Sequence, residues 1–401
     1  MRILLVDDEV RLLGGLRRSL RLERPDWQVD ITVSGAEAVQ LLQEKSYDIL
    51  VTDMLMPGMD GATLLKEALQ TVPGTVRIIL SGHAGRALIQ SCESYYHQFH
   101  AKPVSPQQFL ALLDTLASGL ERPETLRARR LVAGLQRVPS LPALHQELSR
   151  LLGGGHPSVE EVADLVSLDL GMSTKILKLV NSSGLGLAQK VTDLREAVHL
   201  LSVDLLSFAL LEHGALESAE SILPSGLDLA ELWEHSATVA HIMRTLALSE
   251  NLEPGVVALA YTAGLLHDLG RVLMALNPDL DYQRVLDQAG SDQREAVALE
   301  LSTYGTTHAD VGAELLKLWG LDERVCTLVR SHHHSACSSP DDDLLPLLRF
   351  ADAWSSGLSP DSPYSDGHFE EADRRQPNFS RWAGVMMAPL PQGSSCPRHP
   401  S

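Results

Sequence analysis

Five side chains that could carry out phosphoryl chemistry stand where short apolar runs of the sequence end. Carboxylates that face one point repel one another unless a hard divalent cation lies among them, and oxygen ligands with open positions suit Mg²⁺. A metal-neutralised aspartate can attack a phosphoryl group, while a lysine and a hydroxyl hold the phosphoryl oxygens. The five residues are Asp7, Asp8, Asp53, Ser81 and Lys102.

A second set of histidines and aspartates lies in the later two thirds of the chain. Imidazoles and carboxylates that project from several helices can hold one or two divalent transition metals, and bound metal makes hydroxide that hydrolyses a phosphoester. The same groups can instead form a buried polar network that fixes helix packing. The set is His235, His267, Asp268, His308, His332, His333 and Asp352.

The elements that must position the first set lie in residues 1–118. Apolar runs alternate there with amphipathic helical patterns, which predicts a flavodoxin-like α/β domain with a five-stranded parallel (βα)5 sheet. The predicted strands are Ile3–Val6, Val29–Val33, Ile49–Thr52, Val76–Leu80 and Phe99–Ala101, with helices near 9–22, 35–44, 60–70, 84–94 and 105–117.

The carboxyl ends of parallel strands share one edge of a sheet, where such folds place their ligands. Each acidic residue taken alone is explained as a solvated loop residue or a helix cap. Taken together, the strand ends supply every group that a phosphoacceptor site needs, which favours a functional cluster.

The segments VDDE, TDMLMPGMDG, LSGHA and AKPV resemble the response-regulator receiver domain of two-component signalling. The resemblance implies that Asp53 is the phosphoacceptor and that Asp7, Asp8 and Asp53 bind Mg²⁺. It implies Ser81 as the switch hydroxyl, Lys102 as the phosphoryl contact and a cis peptide before the proline that follows Lys102. Phe99 matches the rotating aromatic of the family and is equally well explained as a plain buried strand residue.

The rest of the chain divides by composition into three parts. Residues 119–130 are charged and contain a proline, which suits a linker or an exposed connecting helix. Apolar residues recur at three- and four-residue spacing over 131–358, which predicts an all-α domain. The final residues, 359–401, are rich in Pro, Ser, Asp and Gly and are predicted to be a disordered tail.

The His-Asp pair at 267–268 and the order of the surrounding histidines resemble the HD metal-dependent phosphohydrolases. The cyclic-dinucleotide branch of that superfamily is disfavoured, because Arg271 replaces its lysine and no Gly-Tyr-Pro follows His332 and His333. The segments VPSLP at 138–142 and LDLGMS at 168–173 resemble the HDOD family, the HD-related output domain of bacterial signalling proteins.

HDOD domains are viewed as non-hydrolytic regulatory units, so the resemblance implies an output domain without hydrolase activity. The retained His/Asp set is expected to be a structural network, and a transition metal there is not expected. The alternative is a phosphorylation-regulated, metal-dependent phosphohydrolase of the phosphodiesterase type. Metal content distinguishes the two.

Composition restricts the partners of this chain. Lys and Arg number 33 against 52 Asp and Glu, a net charge of −19, and aromatic residues make up 4%. Such a chain repels phosphate backbones and offers few stacking platforms, which argues against direct binding to nucleic acid. The four cysteines form no CxxC pair, which suits a reducing cytoplasm. Neither a signal peptide nor membrane insertion is expected.

Together these features predict a cytoplasmic bacterial response regulator. A sensor histidine kinase would phosphorylate Asp53, and the signal would pass to the HDOD domain and from there to an unknown protein partner. Autophosphorylation at Asp53 is the only chemistry expected. The cognate kinase is undefined by the sequence, and a homodimer stays an open alternative.

Overall fold

The computed structural model describes most of the chain, and every structural statement below concerns the described residues alone. These are residues 1–82, 93–135, 138–153, 157–181, 190–201, 206, 227–290, 292–333, 344–356 and 378–387. The predicted helix near 84–94 lies almost entirely outside them, as do the three consecutive aspartates at 341–343.

The first domain is built on a five-stranded parallel sheet with strand order β2-β1-β3-β4-β5. The three central strands consist mainly of buried aliphatic residues, as expected for a parallel sheet covered by helices. The strands are β1 Arg2–Val6, β2 Gln28–Thr32, β3 Ile49–Thr52, β4 Val76–Ser81 and β5 Gln98–Ala101. The predicted α/β architecture is confirmed, with strand bounds within a residue of the predicted ones.

Helices cover both faces of this sheet. Leu13 and Phe109 belong to the apolar cluster on one face, while Leu42 and Leu64 belong to the cluster on the other. Alternate residues of each strand reach opposite faces, so a single strand contributes to both clusters. The helices of this domain are α1 Val10–Glu23, α2 Gly35–Glu44, α3 Gly61–Thr71 and α4 Pro106–Ala117.

The described part of the chain beyond residue 122 is largely helical, which confirms the predicted all-α second half. Its central helices pack on one another through fully buried apolar side chains such as Met243, Leu266 and Leu315. The helices are α5 Pro123–Val132, α6 Pro142–Gly153, α7 Val159–Val166, α8 Leu170–Asn181, α9 Leu194–Leu200, α10 Leu229–Ser249, α11 Pro254–Leu266, α12 Leu269–Ala275, α13 Tyr282–Ala289, α14 Gln293–Tyr304, α15 His308–Leu318, α16 Glu323–Ser331, α17 Leu345–Ser355 and α18 Phe379–Met387.

The segment predicted as a linker, residues 119–130, is more buried than expected. Most of it forms α5, which buries Ala128, Arg129 and Val132 on one face. The Arg129 guanidinium forms an ion pair with the buried carboxylate of Glu314, whereas Arg122, Arg127 and Arg130 of the same segment are exposed. The apolar cluster continues from Leu116 through this helix into the helical domain.

Part of the predicted disordered tail is also ordered. Helix α18 buries Trp382, whose indole Nε1–H donates to Glu250 Oε1 at 2.6 Å. Arg381 pairs with the same carboxylate. A helix of nine residues within a Pro- and Ser-rich segment is too short for its hydrophobic periodicity to be recognised in the sequence. The division into domains otherwise stays a prediction.

Asp169 joins the two segments on which the HDOD resemblance rests. Its fully buried carboxylate accepts hydrogen bonds from Ser140 Oγ, Leu141 N and Met172 N, each at 2.8 Å. Burial raises the pKa of Asp169 to about 6. A side chain on Gly171 would meet Pro139 O at 2.5 Å, so the glycine is required for this close approach.

We expect Asp169→Ala to lower the free energy of unfolding by about 3 kcal/mol, because it leaves three buried donors without an acceptor. The matched control is Asp164→Ala, which removes an exposed carboxylate paired with Arg195 and should cost less than about 1 kcal/mol. Urea unfolding of the full chain measures both. Equal losses for the two variants would contradict the role given to Asp169.

Candidate functional sites

The structure brings the predicted carboxylates together at the carboxyl edge of the sheet. Asp7 and Asp8 follow β1 and Asp53 follows β3, and their ligand oxygens all lie within 4.8 Å of one another. Asp7 and Asp53 are buried, whereas Asp8 is exposed and opens the cluster to solvent. This donor set of carboxylate oxygens on one open side fits a hard divalent cation such as Mg²⁺.

Lys102 lies against two of these carboxylates. Its ammonium Nζ is 2.7 Å from Asp7 Oδ2 and 2.9 Å from Asp53 Oδ2, and the side chain is only 12% exposed. Burial lowers the pKa of Lys102, but the hydrogen bonds from the ammonium to Asp53 and Asp7 outweigh burial and raise it. The lysine therefore stays charged and offsets part of the repulsion between the carboxylates.

Asp53 is kept ionised although it is buried. Burial raises its pKa, but hydrogen bonds from Lys102 and Ser81 outweigh this effect, so the pKa lies below its ordinary value. The Met54 backbone N–H donates to Asp53 Oδ1 at 2.6 Å. Asp7 behaves oppositely, because burial dominates and raises its pKa. Asp53 therefore presents an ionised carboxylate beside Lys102 and Ser81.

The geometry around Asp53 depends on Gly61, the last residue of the segment TDMLMPGMDG. A side chain on Gly61 would meet Asp53 O at 2.1 Å, so the loop after β3 can return to the site only with glycine there. The Gly61 N–H donates to Met54 O at 2.9 Å and closes this loop. The peptide bond between Lys102 and Pro103 is cis.

The two predicted switch residues lie on neighbouring strands. Ser81 ends β4 and is 3% exposed, and Phe99 in β5 is 2% exposed within the apolar cluster of the face covered by α2 and α3. Both interpretations of Phe99, a rotating aromatic and a plain buried residue, are compatible with this position.

The second predicted set also converges, in the core of the helical domain. His235 lies on α10, His267 and Asp268 lie between α11 and α12, and His308 begins α15. His332 and His333 directly follow α16, and Asp352 lies on α17. We call these seven residues the His/Asp cluster.

Asp268 is the centre of the His/Asp cluster. Its Oδ1 lies 3.3 Å from His308 Nε2 and 3.6 Å from His332 Nε2. Its Oδ2 faces the other side, 3.7 Å from His267 Nε2 and 4.0 Å from His235 Nε2. The two carboxylate oxygens thus divide the cluster into two groups of potential metal ligands, and His333 belongs to the group on the Oδ1 side.

Asp352 completes the Oδ2 side. Its Oδ1 lies 3.2 Å from His235 Nε2 and 3.8 Å from His267 Nε2. Burial raises the pKa of Asp352, but its close contact with His235 and the neighbouring His267 outweigh burial and hold the pKa well below its ordinary value. The cluster is therefore an anionic centre surrounded by imidazoles.

Backbone and side-chain acceptors outside the cluster fix the orientation of its imidazoles. The Nδ1–H of His267 donates to Gly264 O at 2.7 Å, and that of His332 donates to Val329 O at 2.6 Å. Since carbonyl oxygens only accept, each Nδ1 carries the proton. Burial lowers the pKa of His267 to about 4, so its Nε2 presents a lone pair to the carboxylates. Such outer hydrogen bonds are typical of metal-binding histidines.

Several atoms that point into the cluster make no hydrogen bond of ordinary geometry within the described part of the chain. All of them are buried, and burying an unpaired polar atom is costly. They are Nε2 of His235, His267 and His332 and both carboxylate oxygens of Asp268.

The sequence analysis missed Glu300, a fully buried acid on α14. Its carboxylate accepts hydrogen bonds from the backbone N–H of His308, from His308 Nδ1 and from the Tyr282 hydroxyl, at 2.7–2.9 Å. Burial lowers the pKa of His308, but the Glu300 charge and the close contact with Asp268 outweigh burial and raise the pKa to about 9. The sequence of α14 gives little signal for this residue, because only Ala296 and Glu300 of the helix are buried and its apolar residues form no clear stripe.

Arg271, noted in the sequence as a departure from the phosphodiesterase pattern, also contacts the cluster. Its Nε lies 3.1 Å from Asp268 Oδ2, and its side chain is 17% exposed. The guanidinium adds a fixed positive charge beside the central carboxylate and holds its pKa down, together with the imidazoles. His333 adds a contact of 3.1 Å between its Nε2 and His308 Nε2.

The two halves of the chain thus define a phosphoacceptor-type α/β domain and a helical domain with an HD-like cluster. Comparison with known families agrees with both assignments. Residues 3–114 match the response regulator receiver domain, and residues 138–335 match the HDOD domain. The chain therefore contains a response regulator receiver domain followed by an HDOD domain.

The similar proteins found include an uncharacterized protein of Treponema pallidum, 26% identical over 246 residues, which are 60% of this chain and 46% of that protein. The transcriptional regulatory protein ResD of Bacillus subtilis is 32% identical over 118 residues, 29% of this chain and 47% of ResD. The chain spans less than half of the length of either relative.

Similar solved structures include the MmoQ response regulator of Methylococcus capsulatus, which is 20% identical, with a TM-score of 0.49, over 61% of this chain and 97% of that one. An HDOD protein of unknown function from Geobacter sulfurreducens is 27% identical, with a TM-score of 0.34, over 58% of this chain and 77% of that one.

One described helical stretch, Pro254–Ala275, is long and apolar enough to cross a membrane by composition alone. Its most apolar window is 78% buried within the protein. The stretch comprises α11 and α12, which carry His267 and Asp268 between them, so its apolar character is that of a core helix in the second domain.

Proposed function

We propose that this chain is a cytoplasmic response regulator in which a sensor histidine kinase phosphorylates Asp53 and the HDOD domain is the output. The observation that carries the proposal is the ionised Asp53 carboxylate held between Lys102, Ser81 and the two further carboxylates of the sheet edge. The pKa of Asp53 is lowered whereas that of Asp7 is raised, and the exposed Asp8 leaves this edge open to solvent.

In the proposed transfer, one oxygen of Asp53 forms the new P–O bond as the P–N bond of the donor phosphohistidine breaks. The imidazole leaves with the electron pair of that bond. Mg²⁺ bound by Asp7, Asp8 and Asp53 would neutralise the charge on the phosphoryl oxygens. Lys102 would move its hydrogen bond from Asp53 to a phosphoryl oxygen, and the Ser81 hydroxyl would donate to another.

Acetyl phosphate provides a test without the kinase. We expect the purified chain to gain one phosphoryl group when it is incubated with acetyl phosphate and Mg²⁺, and to gain none when EDTA replaces the metal. Intact-mass spectrometry counts the groups. Equal labelling with and without the divalent cation would contradict the role given to the three carboxylates.

The partner of the output domain is proposed to be a protein. The net charge of −19 opposes binding to a phosphate backbone, and the HDOD domain is the more acidic half of the chain. Phosphorylation would change which surfaces of the receiver contact the HDOD domain and thereby alter the surface offered to that partner.

A second candidate function is a metal-dependent phosphohydrolase. The observation that favours it is the set of buried Nε2 atoms and Asp268 oxygens that face one another without hydrogen bonds. In a purely structural network donors face acceptors, whereas the lone pair of His267 Nε2 faces carboxylates, an arrangement that a cation stabilises. Iron or manganese suits this mixture of imidazole and carboxylate ligands.

A further inference from the structure

Helix α15 spans the distance between the receiver domain and the His/Asp cluster. Its first residue is His308, and its last turn contacts the receiver domain. Every residue of the helix is buried, so it lies in the core rather than on the surface. A rigid helix of 11 residues covers about 16 Å at 1.5 Å per residue.

The carboxyl end of α15 is hydrogen-bonded to two elements of the receiver domain. Lys317 Nζ donates to the backbone oxygen of Ser118 at 2.5 Å and to Ser118 Oγ at 2.8 Å, at the end of α4. Gln98 in β5 donates through Nε2 to Lys317 O at 3.1 Å. One residue of α15 therefore contacts both a strand and a helix of the receiver.

A lysine held between two aromatic rings adds a second contact between the receiver domain and α15. The Lys178 ammonium lies 5.2 Å from the ring centroid of Tyr96 in the receiver and 4.9 Å from that of Trp319 at the end of α15. A partly desolvated cation between two rings contributes more than one at an exposed site. The contact links the receiver, α8 and α15.

The middle of α15 is tied to two further helices through Glu314, a fully buried carboxylate. It pairs with Arg129 of α5 and, through Oε2 at 3.3 Å, with Nη2 of Arg330 on α16. Arg129 in turn donates from Nη2 to Leu116 O at 2.6 Å, in the receiver helix α4. Helix α16 ends directly before His332, so Arg330 connects α15 to this part of the His/Asp cluster.

The amino end of α15 is in backbone contact with α12. A side chain on Gly270 would meet His308 O at 1.8 Å, and one on Gly312 would meet Gly270 N at 3.0 Å. The backbones of the two helices are therefore in direct contact, with no side chain between them, so a displacement of one helix is passed directly to the other. Because α12 directly follows Asp268, the position of α15 sets the distance between His308 and the central carboxylate.

Strand β5 connects these contacts of α15 to the proposed phosphorylation site. Strand β5 ends at Ala101, next to Lys102, which contacts Asp53. The same strand begins at Gln98, which contacts α15. Within the strand, His100 Nε2 lies 2.9 Å from Gln98 Oε1. A single strand therefore joins the lysine of the phosphoacceptor site to the end of α15.

We propose that α15 transmits the phosphorylation state of Asp53 to the His/Asp cluster, with Lys317 as the residue that fastens the helix to the receiver. This inference rests on the proposed phosphorylation of Asp53. The expected coupling between the two sites is of ordinary allosteric size, about 5- to 150-fold in an equilibrium constant.

Hydrogen exchange measured by mass spectrometry on the full chain tests the proposal. Phosphorylation by acetyl phosphate should change the exchange rate of α15 at least about fivefold in wild type. In Lys317→Met, which removes the ammonium contact with Ser118 and keeps the hydrogen bond from Gln98 to the backbone oxygen, the change should be clearly smaller than in wild type while the mass gain at Asp53 remains. The matched control, Lys66→Met on the exposed face of α3, should respond as wild type does. An unchanged α15 in the phosphorylated wild type, or a full response in Lys317→Met, would overturn the proposal.

A second experiment perturbs the His/Asp cluster and measures the response in the receiver domain. It needs no phosphorylation, so it tests the coupling through α15 separately from the phosphorylation of Asp53. Asp268→Asn perturbs the cluster directly and should alter exchange at β5, with β2 at the far edge of the sheet as the internal reference. Adding Lys317→Met should weaken the effect on β5. If Asp53 fails to be labelled but this reverse coupling is present, the proposed phosphorylation is wrong and α15 still joins the sites. If exchange at β5 and β2 changes equally, the proposed coupling through α15 is contradicted.

Discussion

Asp53→Asn should abolish the gain of a phosphoryl group from acetyl phosphate. The amide lacks the ionised oxygen that forms the P–O bond, although it keeps the shape of the carboxylate. In the native site the Lys102 ammonium and the Ser81 hydroxyl hold the pKa of Asp53 below its ordinary value, so the nucleophile is fully ionised at neutral pH. Intact-mass spectrometry of the full chain, with Mg²⁺ present, measures the loss.

The matched control for this prediction is Asp26→Asn, the same change at an exposed position before β2. It should be labelled as wild type is. Asp8→Asn should be labelled more slowly, because it removes a metal ligand and leaves the nucleophile intact. Labelling of Asp53→Asn to the wild-type extent would place the phosphoacceptor elsewhere and refute the proposed site.

The receiver site could be predicted from the sequence because the topology does most of the positioning. Aliphatic runs identify buried parallel strands, and such strands share their carboxyl edge. Residues that follow those runs, such as Asp53 and Lys102, must then meet, and the structure places them 2.9 Å apart. Predicting a parallel sheet from these runs required no side-chain detail.

The contacts between the domains could not be predicted in the same way. Arg129 lies in a charged segment that composition assigns to solvent, and its partner Glu314 is 185 residues away. A helical period identifies which face of a helix is apolar, but it does not show which charged residue is buried against an opposite charge. Lys317 is missed for the same reason.

The chemistry of the His/Asp cluster was predicted only in part. The sequence predicts which residues converge, and all seven do. Whether they form a network or bind a cation depends on which nitrogen carries the proton, and this is set by the backbone oxygens of Gly264 and Val329. The residue types do not show which backbone oxygens accept hydrogen bonds from the imidazoles. The sequence alone therefore could not distinguish a structural network from a metal site.

Asp268→Ala is the variant for which those two interpretations differ most. If the cluster binds metal, the wild-type chain contains iron or manganese, chelator lowers its melting temperature, and the variant has neither the metal nor a response to chelator. The variant should also lose about 3–5 kcal/mol of stability, because the imidazoles around the removed carboxylate lose their central partner. Elemental analysis and thermal melts with and without chelator measure both effects.

The matched control is Asp287→Ala, which removes an exposed carboxylate of α13 that accepts from Gln283. It should keep both the metal content and the chelator response. His332→Gln serves as a second variant if Asp268→Ala fails to fold, because it removes one ligand and leaves the carboxylate. A wild-type chain that holds no metal and ignores chelator, while Asp268→Ala melts far lower, would establish the structural network. In that case the unpaired Nε2 atoms must be satisfied by buried water, and the hydrolase hypothesis loses the observation that supports it.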